Sequence, residues 1–130
     1  MKKTLLLSLL LLISLMVQAQ NEITIDGKVA NVKDGLVVSL FRRDGRVGST
    51  IAKDTIENGR FHFKVKPEKE LDKLSLFVHS TDFPSMSREV YATPNTHIQV
   101  NGKDNLIYTW EVKSNVKEQK ESDRYLYAAK

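Results

Sequence analysis

Apolar and polar residues alternate with a period of two along most of the chain beyond residue 22. Ile23, Ile25, Gly27 and Val29 alternate with Thr24, Asp26 and Lys28, the pattern of a half-buried strand, and Gly27 within it is a candidate bulge. Leu36-Val37-Val38-Ser39-Leu40-Phe41 is apolar on both faces apart from Ser39, which predicts a central strand. A further strand is expected over Lys73–His79, with Leu74, Leu76, Phe77 and Val78. Arg88–Ala92 and Thr96–Val100 read as a hairpin about Thr93-Pro94-Asn95, where Pro94 suits a tight turn and Asn95 tolerates the left-handed geometry. Leu106, Tyr108, Trp110 and Val112 then alternate with Ile107, Thr109, Glu111 and Lys113. This last expected strand carries the heaviest apolar load, with Trp110 as core anchor.

The sharpest local signal is Asp54–Val65, two apolar-alternating arms joined by Asn58-Gly59. Asn-Gly accepts the two positive φ angles of a type I′ turn, so a two-residue hairpin is expected. In that register Glu57 opposes Arg60, Ile56 opposes Phe61, Thr55 opposes His62, Asp54 opposes Phe63 and Ala52 opposes Val65. Ile56, Phe61, Phe63, Val65 and Ala52 then share the buried face, while Lys53 meets Lys64 on the other.

Five of the six glycines follow Asp or Asn, at Gly27, Gly35, Gly45, Gly59 and Gly102. Such pairs suit turns, and their spacing predicts an all-β domain: an antiparallel β-sandwich, Ig-like or transthyretin-like, of about seven to eight strands. From Asn115 the texture changes to helix. Asn115 with Glu118 has capping-box spacing, and Lys117 with Glu121 is an i,i+4 pair. Its early turns are polar all round, with Gln119 and Asp123 following Val116, and apolar residues return only at Tyr125, Leu126, Tyr127, Ala128 and Ala129. A C-terminal α-helix so poorly supported is expected to wait for a partner rather than to complete the fold.

The first residues read as an export leader: Lys2 and Lys3, an apolar run from Thr4 to Val17, and the small-x-small site Val17-Gln18-Ala19. The run is short of the about 20 residues that span a bilayer, so cleavage after Ala19 is expected, leaving no stable membrane anchor. The chain divides into a signal peptide (1–19), a sandwich domain (20–113) and a helical segment (114–130), with a periplasmic or otherwise exported location. The formal charge of +4 includes Lys2 and Lys3, and the remaining charges are interspersed, so no nucleic-acid partner is implied. There is no cysteine, so an exported domain here relies on packing without disulfide staples.

Chemistry-bearing residues are sparse. Neither a Gly-x-Ser-x-Gly elbow nor a phosphate loop is present, and no cofactor is implied. His62, His79 and His97 fall on different predicted strands, and His62 and His97 flank inward-pointing residues, so they are expected to face solvent rather than bind a metal. Arg42, Arg43 and Arg46 either form an anion site or, as expected here, a solvated loop tip. Asp54 points to the apolar face in the hairpin register, either as a buried site carboxylate or as a group bonded to loop amides. In the irregular stretch Ser80–Ser87, Phe83 and Met86 either fold back on the sandwich or make a small exposed apolar site.

Ile23-Thr24-Ile25-Asp26-Gly27-Lys28-Val29, Asp34-Gly35 before Val37-Val38-Ser39-Leu40, Asp54-Thr55 with Asn58-Gly59-Arg60-Phe61-His62-Phe63, Tyr91–Val100 and Val112-Lys113-Ser114-Asn115 together resemble a domain of unknown function. That domain precedes the thioredoxin-like (AhpC/TSA-type) domain of exported bacterial thiol-disulfide oxidoreductases. Asn95 stands where that family usually has Gly, and neither a thioredoxin-like domain nor a Cys-x-x-Cys follows here. The resemblance implies a non-enzymatic accessory domain that docks an exported partner; the irregular loop and the end of the helix offer Phe83, Met86, Tyr125, Leu126 and Ala129 as candidate contacts. The alternative is a sandwich whose loops bind a small ligand, glycan or peptide; a hydrolase built on scattered carboxylates is the weakest reading.

Overall fold

The computed structural model describes residues 21–81, 83 and 87–128, and of residues 125–128 the backbone alone. The period-two pattern folds into eight strands: β1 (Ile23–Val29), β2 (Val37–Asp44), β3 (Val47–Thr55), β4 (Arg60–Val65), β5 (Asp72–His79), β6 (Arg88–Ala92), β7 (His97–Gly102) and β8 (Glu111–Lys113). Helix α1 (Lys117–Ala128) follows. The strands make two sheets, one in the order β4-β1-β7-β8 and the other β3-β2-β5-β6.

Alternation along each strand puts one face of each sheet in a shared core. Ile23, Ile25, Phe61, Phe63, Ile98 and Val100 from the first sheet meet Val38, Leu40, Leu74, Leu76, Val78 and Val90 from the second, all at most 3% exposed. At one end the aromatic rings stack: Phe61 on Trp110 at 5.9 Å between centroids, and Phe83 edge-on to Trp110 at 6.3 Å. Gly27 and Gly102 make this possible. A Cβ on Gly27 would lie 2.1 Å from the Phe61 ring, and one on Gly102 would lie 2.5 Å from the Trp110 indole. Gly27 is therefore a seat for a ring rather than a bulge; the irregularity in strand pairing lies between Leu40 and Phe41, opposite Ile51.

The sandwich is as expected, but its connections are not. Asn58 and Gly59 adopt positive φ and Glu57 pairs with Arg60 through both main-chain bonds, as a two-residue turn requires. Beyond that pair the arms part. Ile56 N donates to Leu36 O and Gly35 N to Ile56 O, each at 2.8 Å, while Val29 N donates to Gly59 O at 2.7 Å. β3 thus runs beside β2, with Asp54 facing Val38, and β4 runs beside β1, with Phe63 facing Ile25. The expected pairings of Ile56 with Phe61, Thr55 with His62, Asp54 with Phe63 and Ala52 with Val65 do not form. The turn is a corner between sheets, because both arms have one apolar face and burying both across the core removes more apolar surface than pairing them in one layer.

Thr93-Pro94-Asn95 is a second such corner. Asn95 takes a φ of 68°, but β6 belongs to the second sheet and β7 to the first. That crossing returns the chain parallel to β1, so the sandwich is antiparallel in every pairing but this one. β1 lies between β4 and β7 rather than beside β2 as in immunoglobulin order, which leaves the transthyretin-like arrangement of the two expected. The final strand is shorter than its alternation suggests: Ile107–Thr109 form a 3-10 turn and only Glu111–Lys113 pair, with β7. Trp110 is fully buried as expected, its Nε1 donating to Asp104 O at 2.9 Å.

The first turns of the helix dock on the sandwich, which the polar pattern does not suggest. Val116 and Gln119 are buried, and the Gln119 amide accepts from Tyr91 N at 2.7 Å and donates to Glu89 O at 3.2 Å. These are the main-chain groups with which β6 would receive another strand, so α1 covers the edge by side-chain mimicry of one. Arg88, buried beneath the helix, donates to Trp110 O and to Asp123 Oδ1, each at 2.7 Å. Hydrophobic periodicity overlooks this docking because its contacts are polar. Ser114 rather than Asn115 supplies the oxygen at the helix start, accepting from Val116 N at 3.3 Å.

Candidate functional site

Two concave surfaces lie on the outward faces of the sheets. On the first sheet, the antiparallel register of β1 with β4 sets Asp26 against His62, and the parallel register with β7 sets His97 two residues before Gln99, the partner of Asp26. The Asp26 carboxylate therefore joins three strands: Oδ1 lies 2.6 Å from His62 Nδ1 and Oδ2 lies 2.7 Å from His97 Nε2. All three side chains are about half exposed. The hydrogen bond from His62, opposed by partial burial and aided by His97, holds the Asp26 carboxyl below the ordinary aspartate value. Because the two imidazoles bind opposite oxygens of one carboxylate, they stitch strands together; among the described residues no His, Asp or Glu group is arranged to hold a metal ion.

Next to this cluster a hollow of about 820 Å³ is lined by Lys28, Asp54, Glu57, Arg60, Gln99 and Asn101, among others. Asp54 ties the hollow to the corner: its Oδ2 accepts from His62 N at 2.7 Å and its Oδ1 from Thr55 N at 2.9 Å. It does not face Phe63. The carboxylate holds main-chain donors freed where the two arms part, the bonded reading of the two expected. Acids and bases are mixed in this hollow, so it selects no charge.

The outward face of the second sheet differs. Ser39, Phe41, Ser75, Phe77 and His79 alternate with the buried row on β2 and β5, and a groove of about 690 Å³ runs over Phe41, Phe77 and His79 toward Arg43, Gly45, Arg46 and Gly48 at the tip of the β2–β3 hairpin. Phe77 meets the His79 ring edge-on at 5.0 Å, and His79 Nε2 is 2.6 Å from Ser39 Oγ. Ser39 is fully buried, so this contact fixes the imidazole and closes the hydroxyl to any incoming group. No carboxylate is among the described residues that line the groove.

The three arginines separate. Arg42 is no loop tip: its side chain is 10% exposed, pairs with the buried Asp72 at 3.1 Å and donates to Lys66 O at 2.8 Å. Asp72 Oδ2 in turn accepts from Glu68 N at 3.0 Å, so the charged connection before β5 is tied to β2. Arg43 and Arg46 are exposed, and among the described residues neither has an ion-pair partner. Gly45, with a φ of 64°, makes the tight turn that leaves both at the tip.

Of the expected contact residues, Phe83 is 7% exposed and packs on Trp110; it folds back into the core and offers no exposed site. Met86, Ala129 and the side chains of Tyr125 and Leu126 lie outside the described residues, as does the leader. The alternation pattern alone does not group the groove residues Phe41, Arg43, Arg46, Phe77 and His79. Their one legible signal is that Phe41 and Phe77 alternate with the apolar rows Val38-Leu40 and Leu74-Leu76-Val78 and share their own phase with Ser39, Ser75 and His79. Among the described residues no helix is long and apolar enough to cross a membrane. The chain matches no protein-family model, no curated protein and no solved structure.

Proposed function

We propose that the chain is a non-enzymatic interaction domain of an exported protein, docking its partner through the outward face of the second sheet. The observation that carries this reading is the groove over Phe41 and Phe77, two half-buried aromatic rings beside Arg43 and Arg46, which have no counter-charge among the described residues. Aromatic residues and arginine are the types enriched where partners bind, and an uncompensated guanidinium gains most when a carboxylate covers it. Export is supported by the leader pattern of residues 1–19, and the accessory role by the resemblance to a domain that precedes thioredoxin-like domains. With no cysteine in the chain, thiol-disulfide exchange belongs to the partner, since that reaction needs a thiolate.

The docking face moves from the helix to the groove in this reading, because α1 spends its described contacts on β6. A second reading, a pocket for a small anionic ligand with an aromatic portion, is favoured by the groove's volume of about 690 Å³, within the range of ligand sites. The experiment is affinity capture from a periplasmic extract with the full chain, Phe77→Ala, Arg46→Glu and, as a control on the other sheet, Lys28→Glu. The expected result is a specific protein retained by the parent and the Lys28 variant and lost by the two groove variants, all with unchanged melting curves. Equal retention by all four refutes docking at this face.

A further inference from the structure

Two packed sheets present four edges, and this chain protects three of them. β6 is covered by α1 through the Gln119 amide. β8 is only three residues long. β4 carries Arg60, His62 and Lys64 on its outward face, the kind of charged edge that discourages an incoming strand. β3 is different. It is the longest strand at nine residues and lies at the end of its sheet. From Val47 to Ala52 it bears no charged side chain, and Val47 is 73% exposed. Its one irregularity, opposite Leu40/Phe41, lies beyond Thr50, so Val47–Thr50 is regularly paired with β2 on one side and, among the described residues, has no strand on the other.

Charge decides what such an edge accepts. Arg43 and Arg46 flank the start of β3 and Lys53 lies within it, and none has an ion-pair partner among the described residues. The neighbouring acids are occupied: Asp44 pairs with Lys69 at 2.9 Å, and both oxygens of Asp54 accept main-chain N–H groups. The edge is thus an open main-chain ladder beside free positive charge. A second copy would bring the same surplus of cations to the seam, whereas an acidic strand neutralises it.

We propose that β3 receives an extended acidic peptide segment of a partner as an added strand, its main chain pairing with Val47–Thr50 and its carboxylates meeting Arg43 and Arg46. Strand addition supplies affinity through main-chain bonds and leaves specificity to side chains, here two guanidiniums and the aromatic groove next to them. The inference rests on reading this face as a docking surface and adds how the partner is held.

The test uses the full chain and a fluorescent peptide of alternating glutamate and valine, matched in length to β3, with binding read by anisotropy at low salt. Four further peptides are compared: one with lysine in place of glutamate, one N-methylated at the valines, one N-methylated at the glutamates, and one methylated at both. The glutamate peptide is expected to bind, and the lysine peptide to bind at least about tenfold more weakly. The Arg43→Glu/Arg46→Glu chain should reverse that preference. Because alternate amides of a strand point to one side, one singly methylated peptide should lose about tenfold or more and the other should keep its affinity. Amide exchange at Gly48 and Thr50, which alternate with the residues bonded to β2, should slow when the glutamate peptide is added.

If affinity depends on Arg43 and Arg46 but no methylation weakens it, strand addition is overturned while docking at this face stands. Strand addition is likewise overturned, with docking intact, if the glutamate peptide does not bind while Phe77→Ala still abolishes capture of the exported protein. Protection of Gly48 and Thr50 that grows with protein concentration, together with dimers in sedimentation, overturns the proposal in favour of a second copy.

Discussion

Replacing Gln119 with leucine tests whether α1 belongs to the fold. Leucine has nearly the volume and helix propensity of glutamine, so the helix stays in place and only the amide is lost. The Gln119 side chain is 1% exposed, and its Oε1 and Nε2 satisfy Tyr91 N at 2.7 Å and Glu89 O at 3.2 Å. Under a docked helix those two main-chain groups are cut off from water, at about 1–3 kcal/mol for each group left without a partner. Burial of the leucine offsets part of this, about 1–2 kcal/mol in so polar a site. The net expected loss is about 1–4 kcal/mol, which in a domain of this size lowers the melting temperature by roughly 5–20 °C. Urea titration of parent and variant, followed by tryptophan fluorescence from Trp110, measures it; hydrogen exchange at the Tyr91 amide gives a local readout and should speed up by a similar free energy. Truncation after Ser114 lets water reach both groups but removes the burial of Val116 and the Arg88–Asp123 pair, so it too should destabilise. A loss under about 0.5 kcal/mol in the leucine variant, with Tyr91 exchanging freely in the parent, would mean that the helix is undocked and that the partner-waiting reading of the sequence is the correct one.

Phe61→Ala should cost about 3–5 kcal/mol in the same urea assay, since the ring is 3% exposed and stacks on Trp110; a loss under about 1 kcal/mol would place it outside the core. Gly27→Ala should destabilise by about 1–3 kcal/mol as an overpacked site, because the added carbon meets the Phe61 ring, and combining it with Phe61→Leu should recover part of that loss. For Asp26 the folded-state carboxyl is depressed, chiefly by the His62 hydrogen bond, so its contribution is present above the unfolded aspartate value and is lost as pH falls through the lower folded one. The stability difference between parent and Asp26→Asn should therefore shrink as pH falls below the ordinary aspartate range; a difference that stays unchanged through that range would contradict the geometry.

Strand identity is legible from the chain itself, because a half-buried strand must alternate and the rows Ile23-Ile25, Leu74-Leu76 and Ile98-Val100 do. So are the turns: Asn58, Gly59 and Asn95 take the positive φ their chemistry suggests, a property of a few consecutive residues. Which layer each arm of a turn enters is not local. Ile56 bonds with Leu36 and Gly59 with Val29, and those partners are chosen by the apolar area that two sheets bury against each other, which no stretch of sequence contains. The same holds for both surfaces. Asp26, His62 and His97 meet only because β1 pairs with β4 and β7, and Phe41, Phe77 and Arg43 share a groove only because β2 pairs with β5. The docking of the helix is hidden from the sequence for a different reason: hydrophobic periodicity measures apolar burial, while Gln119, Arg88 and Asp123 are held by hydrogen-bond partners at and beside the edge of β6. Sequence alone decided where most strands and turns lie, Ile107–Thr109 excepted; the tertiary structure decided the pairing, and with it every juxtaposition on which binding depends.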